Sequence, residues 1–180
     1  ITLYGDYDVD GVSSVAILNR VLNSLVGKIQ PPIRTGGKIQ NFLPDRFDEG
    51  YGLTAAGVER CLSENKPGLL VVLDCGTNSK KEVDALQKQG VDVIILDHHE
   101  PSEPAEPVAL VNYKLSPESS SSAIASAKAE GLKTEYCTAG LVFKFCHALL
   151  KRIRSRGACA LGMTENAAKI DLKDYLDLVA

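Results

Sequence analysis

The sequence predicts an α/β fold, a parallel β-sheet flanked by helices on both faces, and three stretches carry that prediction. Leu69–Leu73 (LLVVL) and Val91–Leu96 (VDVIIL) are near-continuous apolar runs, and the amphipathic segment KKEVDALQKQG lies between them. Ile1–Gly5 (ITLYG) is a third β-rich run, followed at once by residues at helical spacing. Strands that are apolar on both sides belong to sheets covered on both faces. Strand, helix, strand with short connections makes a right-handed crossover between parallel neighbours.

The remaining elements follow in order. Val12, Val15, Ala16, Leu18, Val21, Leu22 and Leu25 predict a helix that Gly27 stops. Ile33–Thr35 is a possible second strand after Pro31–Pro32. Gln40–Leu53 is too punctuated by Gly and Pro for a helix and reads as a loop. Thr54 suits the N-cap of a helix from Ala55 to Glu64. Ser79 opens the helix that Gly90 closes. Pro101, Pro104 and Pro107 stiffen a loop before a short strand, Val108–Val111, with Asn112 at its carboxyl end. Ser116–Ser122 reads as a surface connection, Thr138–Ser155 as a strong amphipathic helix, Gly157–Ala168 as a loop and Leu172–Val179 as a further helix. His147, inside the long helix, reads as structural.

With 180 residues, 44% hydrophobic and 24% charged, the chain has ordinary globular composition and enough length for one domain. A net charge of −3 gives no electrostatic footprint for a polyanion by itself. No apolar run reaches membrane-spanning length, so no membrane partner is expected. The five cysteines form no C-x-x-C pair and fit reduced, cytoplasmic thiols. The chain opens inside a strand at Ile1 and closes on DYLDLVA, which suggests an excised piece of a longer polypeptide.

Chemistry is concentrated at the strand ends. Asp6, Asp8 and Asp10 alternate with Tyr7 and Val9 after the first strand; Asp74 follows LLVVL; Asp97, His98 and His99 follow VDVIIL. Ligands of parallel sheets gather outside the carboxyl ends of the strands, so these groups should converge. Crowded carboxylates need a cation between them, and an oxygen-rich cluster with imidazole suits Mg²⁺ or Mn²⁺. Two such ions sharing a carboxylate are a common arrangement for phosphoester hydrolysis. Asp74, alone at the end of a central strand, is the natural bridge. Adjacent side chains at a strand end point apart, so one of His98 and His99 can bind metal while the other faces a phosphate. Asp97 can accept from an imidazole and fix its tautomer. Cys75, a soft thiol, suits the cluster poorly. Arg46 can meet a backbone phosphate or pair with Asp45, Asp48 or Glu49.

DYDVDG at Asp6–Gly11, the isolated Asp74 and DHH at Asp97–His99 resemble the first motifs of the DHH phosphoesterases, whose DHH domain is Rossmann-like. Pro44-Asp45-Arg46 with Glu49-Gly50-Tyr51-Gly52-Leu53, Asn112–Lys114, and Ala139-Gly140 with Phe143-Lys144 are similar to the RecJ-type single-strand DNA exonucleases within that family. The resemblance implies a phosphodiesterase that removes nucleotides from the 5′ end of single-stranded DNA in repair and recombination, using Mn²⁺ or Mg²⁺, two ions in the complete enzyme. It implies metal ligation by Asp8, Asp10, Asp74 and His98, with Asp6 near the metals and His99 on the scissile phosphate. Asp74, His98 and His99 would be catalytic, Asp97 supporting, and Arg46 and Asn112 substrate contacts. Tyr4 stands where many relatives have a histidine, which makes a ligand there unexpected. A fourth motif with a further aspartate ligand, and a carboxyl-terminal nucleic-acid-binding domain, would lie beyond Ala180, so the resemblance implies that residues 1–180 are a catalytic domain truncated at its carboxyl end. The same site would also serve short RNA oligonucleotides, cyclic dinucleotides or pyrophosphate. A catalytically inactive replication scaffold is the third reading, against which the complete set of acids and imidazoles argues.

Overall fold

The computed structural model describes residues 1–26, 38–115, 136–156 and 171–172. The expected strand Ile33–Thr35, the Ser116–Ser122 connection, the Gly157–Ala168 loop and nearly all of the Leu172–Val179 helix lie outside them. The elements are β1 (Thr2–Gly5), α1 (Val9–Val26), β2 (Gln40–Phe42), α2 (Ala55–Asn65), β3 (Leu69–Leu73), α3 (Lys80–Lys88), β4 (Asp92–Leu96), β5 (Ala109–Val111) and α4 (Thr138–Arg156). The strands form one sheet in the order β2-β1-β3-β4-β5, and every neighbouring pair is parallel.

Alternation along the strands decides which helices cover which face. Leu3, Val71, Leu73 and Leu96 turn toward one side, where Val15, Leu18 and Val21 of α1 and Val142, Cys146 and Leu150 of α4 pack on them. Tyr4, Leu70, Val72, Val93 and Ile95 turn to the other, under Val58 and Cys61 of α2 and Val83 and Leu86 of α3. Each fully buried aliphatic side chain contributes ~1.5–3 kcal/mol relative to exposure, so both faces are cores in their own right. The chain leaves β1 toward β2 over one face and returns across β1 to β3 over the other. The direction therefore reverses between β1 and β3, the switch point at which such sheets open a crevice.

Two boundaries differ from the sequence reading by more than a residue. Gln40–Phe42, expected as part of a loop, is the edge strand β2, with Thr2–Tyr4 as its partners in β1. Of its side chains only Phe42 is buried, stacked on Tyr4 with ring centroids 5.1 Å apart, so no alternation betrays it. Helix α1 begins at Val9 rather than Val12 because the Asp8 carboxylate accepts the Gly11 amide at 2.9 Å and caps it. Thr54 does cap α2, accepting from the Gly57 amide at 3.1 Å. Cys61, Cys75 and Cys146 are buried unpaired thiols, Cys137 is an exposed one, and Cys159 lies outside the described residues. His147 is exposed on α4. No helix among the described residues is long and apolar enough to cross a membrane.

Candidate metal centre

Strand register alone brings the acids together. Gly5 pairs with Leu73, Leu73 with Leu96, and Leu96 with Val111. The next residue of each strand is Asp6, Asp74, Asp97 and Asn112, so these polar groups form one row across the carboxyl edge. The row stays hydrogen-bonded: Asp6 N–H donates to Leu73 O, Asp74 N–H to Leu96 O, and Asp97 N–H to Val111 O, at 3.0–3.2 Å. Asp74 turns out of its strand with φ +65°, a left-handed conformation that costs a non-glycine residue ~1 kcal/mol or more.

Asp74 is shared by two groupings. One oxygen each of Asp6, Asp8 and Asp74 lie within 4.8 Å of one another, as do ligand atoms of Asp74, His98 and His99. His98 Nε2 is 3.5 Å from Asp74 Oδ1 and 3.8 Å from Asp10 Oδ2. Asp6 and Asp74 are buried, and neither carboxylate oxygen of Asp6 has a hydrogen-bond partner among the described residues. Burial raises the Asp6 pKa, and the Asp8 charge adds to it. Burial also pushes Asp74 up to about 8; the Thr138 hydroxyl opposes this, and the charges of Asp10 and Asp8 reinforce it. An orphaned buried carboxylate beside further acids and an imidazole is a donor set that fits a hard or borderline divalent cation. Burial holds the Cys75 thiol well above its ordinary pKa, so it offers no thiolate.

The two histidines stand differently. Asp97 Oδ1 accepts His99 Nδ1 at 2.7 Å and the His98 and His99 amides at 2.7 and 3.2 Å; Oδ2 accepts the Thr77 amide at 3.0 Å. Burial alone would raise its pKa, but the hydrogen bonds from Thr77 and His99 outweigh that and hold it below the usual carboxylate range. Asp97 therefore orients His99, whose Nε2 meets the Tyr51 hydroxyl at 2.7 Å. Beside them opens a cleft of about 360 Å³ lined by residues including Tyr51, Cys75, Thr77, Ser79 and His99.

The expected substrate contacts separate. Arg46 stands on the rim, its guanidinium 5.5 Å from the Tyr7 ring centroid. None of Asp45, Asp48 and Glu49 pairs with it among the described residues: Asp45 accepts the Phe47 and Asp48 amides, and Glu49 is held by Arg60. Asn112 is not placed to touch substrate. It is fully buried, donating to Thr77 Oγ1 and His99 O and accepting the Lys114 amide, which braces the DHH turn from beneath. Two groups at the site escaped sequence reasoning. Thr138 donates to Asp74 Oδ1 at 2.7 Å from 64 residues away, a pairing no local pattern announces. Tyr51 sat inside a quoted motif, but only the fold shows that it faces His99.

The chain is similar to known proteins in both sequence and fold. The single-stranded-DNA-specific exonuclease RecJ of Thermus thermophilus is 32% identical over 153 residues, 85% of this chain and 19% of that protein. RecJ of Dickeya dadantii is 31% identical over 180 residues, all of this chain and 27% of its own length. A crystal structure of exonuclease RecJ bound to manganese superposes with a TM-score of 0.64 at 31% identity, covering 85% of this chain and 33% of that one. The chain thus spans about a fifth to a quarter of these curated relatives. The family model for the DHH family, N-terminal domain, matches residues 1–180 from end to end, and the chain belongs to the DHH family.

Proposed function

We propose that this chain is the catalytic domain of a divalent-metal-dependent phosphodiesterase of the RecJ type, removing nucleotides from the 5′ end of single-stranded DNA. The observation that carries the reading is the register row: Asp6, Asp74 and Asp97 leave adjacent strands at one level, with Asp8, Asp10, His98 and His99 around them. The names of the RecJ relatives supply the substrate class, and one relative's crystal structure is described as bound to manganese. Mn²⁺ is the ion we assign, with Mg²⁺ as its substitute, because imidazole stands among the oxygen donors.

Asp6, Asp8, Asp10, Asp74 and His98 are the residues that would hold the cations. When bound, they would supply Lewis acidity and neutralise charge on the phosphoryl group. His99, its Nδ1 held by Asp97, presents Nε2 toward the cleft, where a phosphate oxygen can replace the Tyr51 hydroxyl as its partner. Arg46, with no acidic partner among the described residues, is free for the strand's phosphates. The cleft beside His99 has room for a nucleotide-sized group. A further aspartate ligand and a nucleic-acid-binding domain from the rest of the polypeptide would complete the enzyme.

The test is cleavage of 5′-labelled and 3′-labelled single strands by the full-length polypeptide with Mn²⁺ or Mg²⁺. Mononucleotide release from the 5′ end is expected, abolished by Asp74→Ala without loss of fold. Cleavage by the Asp74→Ala variant at the wild-type rate, or degradation only from the 3′ end, would overturn the reading.

A further inference from the structure

Thr138 opens α4 at the acidic edge and touches two carboxylates at once. Its buried hydroxyl donates to Asp74 Oδ1 at 2.7 Å. Its amide donates to Asp10 Oδ2 and the Ala139 amide to Asp10 Oδ1, both at 2.7 Å. The first turn of one helix thus grips acids delivered by β1–α1 and by β3, and both acids flank His98 Nε2. A carboxylate rotates easily about its last torsion. An alcohol donor on one oxygen removes that freedom while leaving further lone pairs for a cation. The grip on Asp10 is built from peptide groups and survives any side-chain change, whereas the grip on Asp74 depends on the hydroxyl alone.

We propose that Thr138 is a positioning residue of the metal centre: its hydroxyl fixes the rotamer of Asp74 at a set separation from Asp10, and so sets the affinity for divalent cations. This rests on reading the site as a divalent-metal centre. A hydroxyl that merely fills its own hydrogen-bonding need would leave cation binding untouched.

The experiment compares Thr138→Val, which keeps the shape and loses the donor, with Thr138→Ser, which keeps the donor. Both are made in the full-length polypeptide, and free Mn²⁺ is followed by electron paramagnetic resonance. Thr138→Val should weaken Mn²⁺ binding by about tenfold to a hundredfold, the usual effect of removing a group that orients a ligand. Thr138→Ser should stay within about threefold of wild type. On single-stranded DNA, kcat should fall for the valine variant while KM holds. If the valine variant does not fold by near-ultraviolet circular dichroism, Thr138→Ala takes its place and should show the same loss. Wild-type Mn²⁺ affinity in a folded variant lacking the hydroxyl would overturn the proposal and leave the metal-centre reading standing. A serine variant as weak as valine would also overturn it. Failure of the wild type to take up Mn²⁺ would sink both.

Discussion

Asp74 combines a left-handed backbone, full burial and two nearby like charges, a costly set of circumstances for an aspartate. Its folded pKa, about 8, lies above the ~3.9 of an unfolded aspartate. Asp74's own contribution to the stability of the metal-free fold is therefore fully present below about pH 4 and is lost as pH rises toward 8. Asp74→Asn removes the charge and keeps an oxygen for Thr138. In EDTA, we expect it to melt about 2–4 °C above wild type at pH 8, a gain of ~1 kcal/mol, and the advantage should fade toward pH 4. Asparagine is also more at ease in the left-handed region, but that benefit does not vary with pH. Scanning calorimetry across pH separates the two, and a variant less stable than wild type at pH 8 would refute the crowding argument. Asp97 behaves oppositely. Its depressed pKa contributes stability above the unfolded value, and that contribution is lost as pH falls through the folded one. Asp97→Asn would turn an amide N–H₂ toward the Thr77 or His99 donors. At pH 7 it should cost about 2–3 kcal/mol in urea titrations, and the cost should shrink as pH falls below the ordinary carboxylate range.

At the scale of elements, the loop from Leu43 to Leu53 is the part that carries Arg46 and Tyr51 to the site, and one of its ties is a charged clasp at Glu49. Arg60 of α2 donates to both oxygens of Glu49 at 2.6 and 2.7 Å and to Leu43 O, with its guanidinium 4.2 Å from the Phe42 ring centroid. The hydrogen bond from Arg60 lowers the Glu49 pKa, so the clasp holds above the ordinary carboxylate range and weakens in acid. Because Arg60 is partly exposed, Glu49→Ala should cost only ~1 kcal/mol of stability. The larger effect should be kinetic: KM for single-stranded DNA should rise severalfold with kcat nearly unchanged, and an unchanged KM would show that the loop needs no clasp. This loop is also where sequence reading reached its limit. β3, α3 and β4 were legible almost to the residue because LLVVL and VDVIIL are buried on both faces and Gly90 breaks between them. Thr54 marked α2 through its capping chemistry. β2 was not legible, since a three-residue edge strand with one buried side chain has no period to read. The row of Asp6, Asp74 and Asp97 could be anticipated from strand ends, whereas the links from α4 to Asp10 and Asp74 join residues 64–129 positions apart and leave no local trace.

Taken whole, the molecule sets an acidic edge, on a chain of net charge −3, against the polyanionic strand we propose as its substrate. Without cations, the carboxylates of Asp6, Asp8, Asp10 and Asp74 crowd together at that edge, where they would repel a strand's phosphates. Two divalent ions would change the formal charge from −3 to about +1 and place all of that change at the strand ends. Affinity for single-stranded DNA should therefore depend on the metal, unlike that of a protein with a basic groove, which binds through counterion release whether or not a metal is present. With a fluorescent oligonucleotide and the 180-residue chain at low salt, anisotropy should stay flat in EDTA and rise on adding Mn²⁺. Asp74→Ala should abolish the rise even though it makes the protein less acidic, because the gain comes through bound cations rather than net charge. A polypeptide that also carries the nucleic-acid-binding domain proposed above should bind more tightly in both conditions; the chain alone is about a fifth to a quarter of its relatives' length. Tight binding by the 180 residues in EDTA would mean that some surface other than the strand ends grips the nucleic acid. Metal would then act only on the phosphate and not on substrate capture.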